Sequence, residues 1–331
     1  MLSFADERRP KGRRHTVALV TALAVFAVGC GPTDYQKPIH DFGEASRVVI
    51  VAANNFYCNY NFLETRNSLS ETATMGKEIK LKPTEDRLMT VDVPMVIDPQ
   101  AIEVRTKALR VLSKYIANLA ELASGKPGEA VGKETAALSK TLDQTVDDAK
   151  KLADLVDSNG HAFISNSKFA SLASPVASAI GAVAQLIVNH KSRREIEQSL
   201  AQQEDSVKAL MDLLSREMAL IYERQKSNLR LNQMLALQIY NEAVKKDKGL
   251  AERVSAADQI AGREREAQLL QAADPQPAVD KMKTTFEALV AYAKSDKNPK
   301  TIADLFSTVQ DFVSEAGPLG DASHALVAAL Q

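Results

Sequence analysis

The stretch from Val176 to Ala272 contains no proline, and no other feature restricts the possible folds of this chain as strongly. A single α-helix of that length would measure about 145 Å, so we expect helix breaks within it, near Asn189–His190 and near Gly249. Hydrophobic residues keep a seven-residue register that Asn228 interrupts: Leu200, Val207, Leu214, Ile221 and Leu235. This spacing is typical of long helices packed side by side and predicts coiled-coil-like packing.

The rest of the chain is also predicted to be mainly helical, since it lacks Trp and is rich in good helix formers. Amphipathic patterns indicate helices from about Glu44 to Ser68, from Pro99 to Ser124 and from Lys133 to Asp157. Pro275 and Pro277 are predicted to form a linker before two C-terminal helices. We expect Gly317–Pro318 to break the second of these, because proline cannot donate the helical hydrogen bond.

One segment, near residues 78–93, instead alternates hydrophobic and polar residues with a period of two, around Ile79, Leu81, Met89 and Val91. That pattern predicts a small β-hairpin. The predicted fold is all-α: an elongated helical bundle at 44–272 with coiled-coil-like long helices and one small β-hairpin. C-terminal helices at 278–331 are expected to pack on this bundle.

The first 29 residues have the three parts of a secretion signal. A basic segment is followed by an uncharged run from Thr16 to Ala27, which is too short to span a bilayer. Small residues then lead to a cysteine, in the order Ala27-Val28-Gly29-Cys30.

This ending resembles the lipobox of bacterial lipoproteins. The resemblance implies cleavage after Gly29, lipid (diacylglyceryl and palmitate) on Cys30, and a membrane-anchored protein of the bacterial cell envelope that faces the periplasm. Residues 30–43 would form a tether, and Gly31 in place of Asp favours the outer over the inner membrane. An ordinary cleaved signal, an N-terminal membrane anchor or twin-arginine export through Arg13–Arg14 remain alternatives.

The second cysteine, Cys58, has no intramolecular partner if Cys30 carries lipid. We expect it to be a buried, small apolar residue beside Phe56, Tyr57 and Phe62. The alternative is a free thiol, either reactive or paired with another molecule in an oxidising compartment.

Charge and motifs exclude several classes of function. Without residues 1–29 the chain has 36 basic and 40 acidic residues, which does not favour nucleic acid as a partner. The glycine-rich segment 125–133 departs from a phosphate-binding loop at Pro127 and Glu134, and the histidines are isolated. The sequence therefore predicts no catalytic residue, no metal site and no cofactor.

These observations favour a non-catalytic protein that presents helical surfaces for protein–protein interaction or scaffolding, with a protein partner or with itself. The uncharged segment Phe169–Val188 leaves an alternative, a membrane-active protein similar in outline to helical pore-formers. We expect this segment to be a central helix buried by the bundle. A third possibility is an enzyme whose site has no sequence motif.

Overall fold

The computed structural model describes residues 36–83, 89–91, 99–124, 133, 136–137, 140, 193–296 and 298–330. The chain divides into two units, Met1–Pro32 and Thr33–Gln331, and every described residue lies in the second. The predicted signal peptide, Gly29 and Cys30 therefore lie outside the described residues, as do the segment Phe169–Val188 and the predicted break at Asn189–His190.

The described part of the chain is all-α, with about 90% of its residues in helices. Its elements follow one another along the sequence: α1 (Gln36–Thr74), β1 (Leu81–Pro83), β2 (Met89–Val91), α2 (Pro99–Ser124), α3 (Arg193–Lys245), α4 (Leu250–Ala272), α5 (Gln276–Lys294) and α6 (Pro299–Leu330). Of the predicted helix at 133–157, residues 133, 136–137 and 140 are described, and they are helical.

The first helix begins earlier than the sequence predicts. It starts at Gln36 rather than near Glu44, so the prediction of a tether is wrong for residues 36–43. Ile39 and Phe42 are fully buried, and the Phe42 ring lies 5.8 Å from that of Phe312 and 6.5 Å from that of Phe286, measured between centroids. Burial of these apolar side chains stabilises an early turn that no capping signal marks.

All six described helices contribute to one hydrophobic core, α4 through Leu270 near its end. α1 packs against α2, α3, α5 and α6, and α3 also packs against α4 and α5. Hydrogen bonds from Tyr57 to Glu217 and from Asn232 to Asn67 show that α1 and α3 run in the same direction. The C-terminal helices belong to this same unit, since α6 packs along α1.

The seven-residue register of the long helix marks its core face. Leu200, Val207, Leu214 and Ile221 are all buried, whereas Leu235 is half-buried. Asn228, which interrupts the register, donates a hydrogen bond to Glu64 of α1. Hydrophobic spacing therefore predicted the packed face of α3.

The predicted break near Gly249 is confirmed, because α3 ends at Lys245 and α4 begins at Leu250. Asp247 ends the helix in the left-handed region, with φ +48°. The amide of Lys248 donates to the carbonyl of Ala243, and that of Asp247 donates to Val244. This is a Schellman ending, with aspartate in the place that glycine usually takes.

The predicted break at Gly317–Pro318 is wrong, because α6 continues through Pro318 to Leu330. Pro318 leaves one helical hydrogen bond unmade. Ala316 and Leu319 are nevertheless buried on either side of it, in a helix that packs along α1. Packing of this face holds the helix together across the proline.

The two short strands lie within the segment of alternating residues. They are antiparallel, with Leu81 opposite Val91 and Pro83 opposite Met89. Every residue of β1 is exposed. β1 contributes no residue to the hydrophobic core of the described residues.

Candidate functional site

A buried cluster of polar groups joins three helices in the middle of the unit. Arg105 of α2 donates two hydrogen bonds to Glu217 of α3, from Nε to Oε2 at 2.8 Å and from Nη2 to Oε1 at 2.7 Å. The Tyr57 hydroxyl of α1 donates to the same Oε2. Arg105 is 1% exposed, and Glu217 and Tyr57 are 0% exposed. The carboxylate is therefore held by three donors in a dry environment.

The surroundings of this cluster fix its protonation state. Burial raises the pKa of Tyr57 well above its usual range, and the negative charge of Glu217 adds to the effect. Burial alone would lower the pKa of Arg105, but the adjacent Glu217 carboxylate more than offsets this and raises it. At neutral pH the arginine is charged and the tyrosine is neutral. Since none of the three reaches solvent, the cluster is an internal tie between helices.

A second polar network lies along α1 towards its C-terminal end. Glu64 accepts hydrogen bonds from Arg224 Nε at 3.2 Å and from Asn228 Nδ2 at 2.6 Å. Further along, Arg66 Nη2 donates to Glu266 Oε2 of α4 at 3.0 Å. These bonds fix α3 and α4 against the last part of α1.

Beyond this network α3 and α4 form a two-helix projection that we call the α3–α4 hairpin, residues 231–263. Only Asn232, Ala236 and Ala256 are buried within it. In contrast, large apolar side chains that would be expected in a core are exposed to solvent: Leu231, Met234, Leu237, Ile239, Val244, Leu250 and Val254. Leu250, beside the turn, is 71% exposed.

A cleft of about 1120 Å³ opens between the two helices of the hairpin and the last turns of α1. Its floor includes Leu235, Ile239 and Ala243 of α3. Charges of both signs lie around it, on Glu242, Lys246, Lys248, Glu252 and Arg263. Its size suits a peptide segment or a helix face, and its mixed charge does not select a strongly charged ligand.

Of the residues singled out from sequence, Cys58 is the one that lies within the described ranges. It is a free cysteine and is exposed, so the prediction that it is buried is wrong. Phe56 and Tyr57 turn into the core, and the next residue along a helix turns about 100° away from them. Partial covering by its neighbours raises the pKa of the Cys58 thiol, which reduces its thiolate fraction at neutral pH.

Neither the buried cluster nor the α3–α4 hairpin was predicted from the sequence. The sequence signal for the buried cluster was a charged residue within each of two apolar stripes. On α2, Arg105 lies one turn before Leu109, and on α3, Glu217 lies between Leu214 and Ile221. The signal for the hairpin was a second apolar stripe on the end of α3. Neither pattern identifies its partner from the sequence.

No helix in the described ranges combines the length and the hydropathy that a membrane span requires. No family model matches the chain, and no curated protein or solved structure is significantly similar to it.

Proposed function

We propose that this protein is a non-catalytic, lipid-anchored protein of the bacterial cell envelope that binds protein through its α3–α4 hairpin. The observation that carries the proposal is the exposure of seven large apolar side chains on a projection of 33 residues. Apolar side chains clustered on a surface lower the free energy when a partner covers them, and such clusters mark interaction sites.

The charge of the hairpin supports a protein partner rather than nucleic acid. Its residues 231–263 include five basic and four acidic side chains, so no face of one sign is available to a phosphate backbone. The two groups whose pKa is raised most strongly by burial, Tyr57 and Tyr115, are sealed in the interior. Their burial supports a non-catalytic role, because a catalytic group must reach its substrate.

Lipid on Cys30 would hold the chain at a membrane surface. Because α1 begins at Gln36, the start of that helix would lie within about 20 Å of the lipid-bearing residue. The hairpin cleft is lined by the last turn of α1, at the other end of a helix about 60 Å long. The two or three acyl chains of a bacterial lipoprotein would make the anchor stable, whereas a single chain would not.

Two experiments in cells test this proposal. Metabolic palmitate labelling should be lost in Cys30→Ser, and labelling that persists would contradict the anchor. A photo-crosslinking amino acid at Leu237 or at Leu250 should give an adduct with one protein, while the exposed Glu315 on α6 serves as the control position. A probe placed on the protein so identified should return the reciprocal adduct. Adducts that are absent at both hairpin positions, or equal at Glu315, would contradict the hairpin as binding surface.

A further inference from the structure

The outer face of α3 in the hairpin carries a heptad pattern of its own. Met234, Leu237, Asn241 and Val244 follow one another at intervals of three, four and three residues. We call these four residues the outer seam. The exposed fractions are 68% for Met234, 51% for Leu237 and 45% for Val244, and Asn241 is also exposed. Intervals of three and four are those of the a and d positions along a coiled-coil interface.

The outer seam is distinct from the face that α3 turns towards its own chain. Leu235, Ile239 and Ala243 line the cleft between α3 and α4, and Asn232 and Ala236 are buried. The seam residues lie between these positions in sequence and are absent from the cleft lining. In this part of the molecule α3 therefore has two apolar faces, one that lines the cleft and is partly buried and one that is exposed.

We infer that the outer seam pairs with the outer seam of a second copy of this chain, with the two α3 helices parallel. This inference rests on the proposed function and names the partner. Intervals of three from Met234 to Leu237 and from Asn241 to Val244 place Met234 and Asn241 at a positions. A single asparagine at an a position pairs with its symmetry mate and specifies a register and a two-stranded pair.

The flanking side chains are complementary in this arrangement. In a parallel pair, the position before each a residue faces the position five residues later on the other helix. Gln233 would meet Gln238 of the second copy, and Tyr240 would meet Lys245, an amide pair and a cation–π contact. Between Met234 and Lys245 this pairing brings no two acidic and no two basic side chains of the two copies together. Arg230 would face Arg230 of the second copy, and the repulsion between the two charges would end the seam on the side nearest the hydrophobic core.

Lipid on Cys30 would also bring two copies of the chain to the same membrane surface. Confinement to one surface raises the effective concentration of each copy for the other. Arg230 and Lys245, at the two ends of the seam, supply too little positive charge to bind an anionic membrane or a nucleic acid.

Disulfide trapping in cells tests the inference on the full chain. In a Cys58→Ser background, cysteine is introduced singly at Met234, Leu237, Asn241 or Val244, and cells are treated with a mild oxidant. Parallel pairing brings each a or d residue next to its own mate, so all four variants should form disulfide-linked dimers. Asp258→Cys, exposed on α4 of the same hairpin, is the matched control, and the parent chain gives the background from Cys30.

The second variant is Leu237→Ser, which should lower the dimer yield of Val244→Cys at least about tenfold, because it removes a central apolar contact. At a concentration where the parent chain is monomeric, the thermal unfolding of Leu237→Ser should match that of the parent, since Leu237 is exposed in the single chain. If the four seam variants form no more disulfide-linked dimer than Asp258→Cys does, the inference is overturned. A dimer at a single seam position would overturn the parallel arrangement. If the seam fails while Leu250 forms an adduct with another protein, the proposed function stands and the second copy is excluded.

Discussion

The same helix, α3, behaves differently in two regions of the molecule. Before Leu231 it lies in the body, which also comprises α1, α2, α5 and α6, and its apolar stripe is buried from Leu200 to Ile221. After Leu231 it enters the α3–α4 hairpin, where equally apolar side chains are exposed. Helix propensity does not differ between the two parts, so what differs is the number of helices that pack around each.

This difference separates the region that stabilises the fold from the region that we propose binds a partner. In the body even charged groups are buried, and each is tied to a partner, as Arg105 is to Glu217. In the hairpin two helices cover each other incompletely and leave apolar surface in water. Such a region has few contacts to lose when it opens, and we expect it to open locally at a lower free energy than the body.

The largest effect is expected in the body, from Glu217→Gln. The change removes the counter-charge of Arg105 and leaves a buried guanidinium beside a neutral amide. We expect the free energy of unfolding to fall by about 3–5 kcal/mol, measured by urea unfolding followed by circular dichroism.

The paired variant Arg105→Met/Glu217→Leu is the control, because it removes both charges and keeps similar volumes. It should be much more stable than Glu217→Gln. An equal loss in both variants would indicate that packing, rather than an unpaired charge, sets the cost.

Two glycines should give effects of opposite sign. A Cβ at Gly320 of α6 would lie 2.6 Å from Val48 Cγ1, so Gly320→Ala should destabilise the body by about 1–3 kcal/mol. No atom lies within 4 Å of a Cβ built at Gly262 of the hairpin, and Gly262→Ala should gain about 0.5–1 kcal/mol of helix stability. Urea unfolding measures the first, and amide exchange on α4 measures the second. Restoring stability to Gly320→Ala with Val48→Ala would identify the clash as the cause.

Alkaline pH should weaken the body through its buried tyrosines. Burial raises the pKa of Tyr115 above its ordinary range, and its hydroxyl has no hydrogen-bond partner among the described residues. The unfolded chain ionises tyrosine near pH 10, so the stability this group contributes is complete below that pH and is lost above it. In Tyr115→Phe the free energy of unfolding should fall less steeply above pH 10, by up to about 1.4 kcal/mol per pH unit. The urea midpoint measured at a series of pH values tests this. An unchanged slope would indicate that Tyr115 ionises freely in the native state.

The smallest effect is expected at the turn of the hairpin. Asp247 has a positive φ that glycine adopts without strain, so Asp247→Gly should stabilise the turn by at most about 1 kcal/mol. If the hairpin opens independently of the body, amide exchange between Ala243 and Ala251 should slow while the urea midpoint stays constant. A shift of the global midpoint by the same amount would show that hairpin and body unfold together.

Features that depend on neighbouring residues were predictable from the sequence. The buried register of α3 follows from a spacing of seven, and the break near Gly249 follows from a glycine after a polar turn. Features that depend on distant residues were not. The early start of α1 depends on Phe42 meeting Phe286 and Phe312, and the continuity of α6 depends on packing along α1.

The same limit applies to the candidate site. Arg105 and Glu217 are 112 positions apart, and the sequence shows each only as a charge within an apolar stripe. The outer seam was present in the sequence, but its residues alternate there with those of the stripe that α3 turns towards its own chain. Periodicity identifies both stripes and cannot tell which of them a single chain buries.

The mass of the purified full chain in solution tests the central claim, which is that the hairpin binds a second copy whereas the body stabilises the fold. Sedimentation equilibrium in density-matched detergent, at increasing protein concentration, should show a monomer that converts to a dimer. Leu237→Ser should remain monomeric over the same range, and at the lowest concentration, where the parent chain is also monomeric, both should unfold at the same urea concentration. A parent chain that stays monomeric at every concentration, or a Leu237→Ser variant that still forms dimers, would contradict the claim.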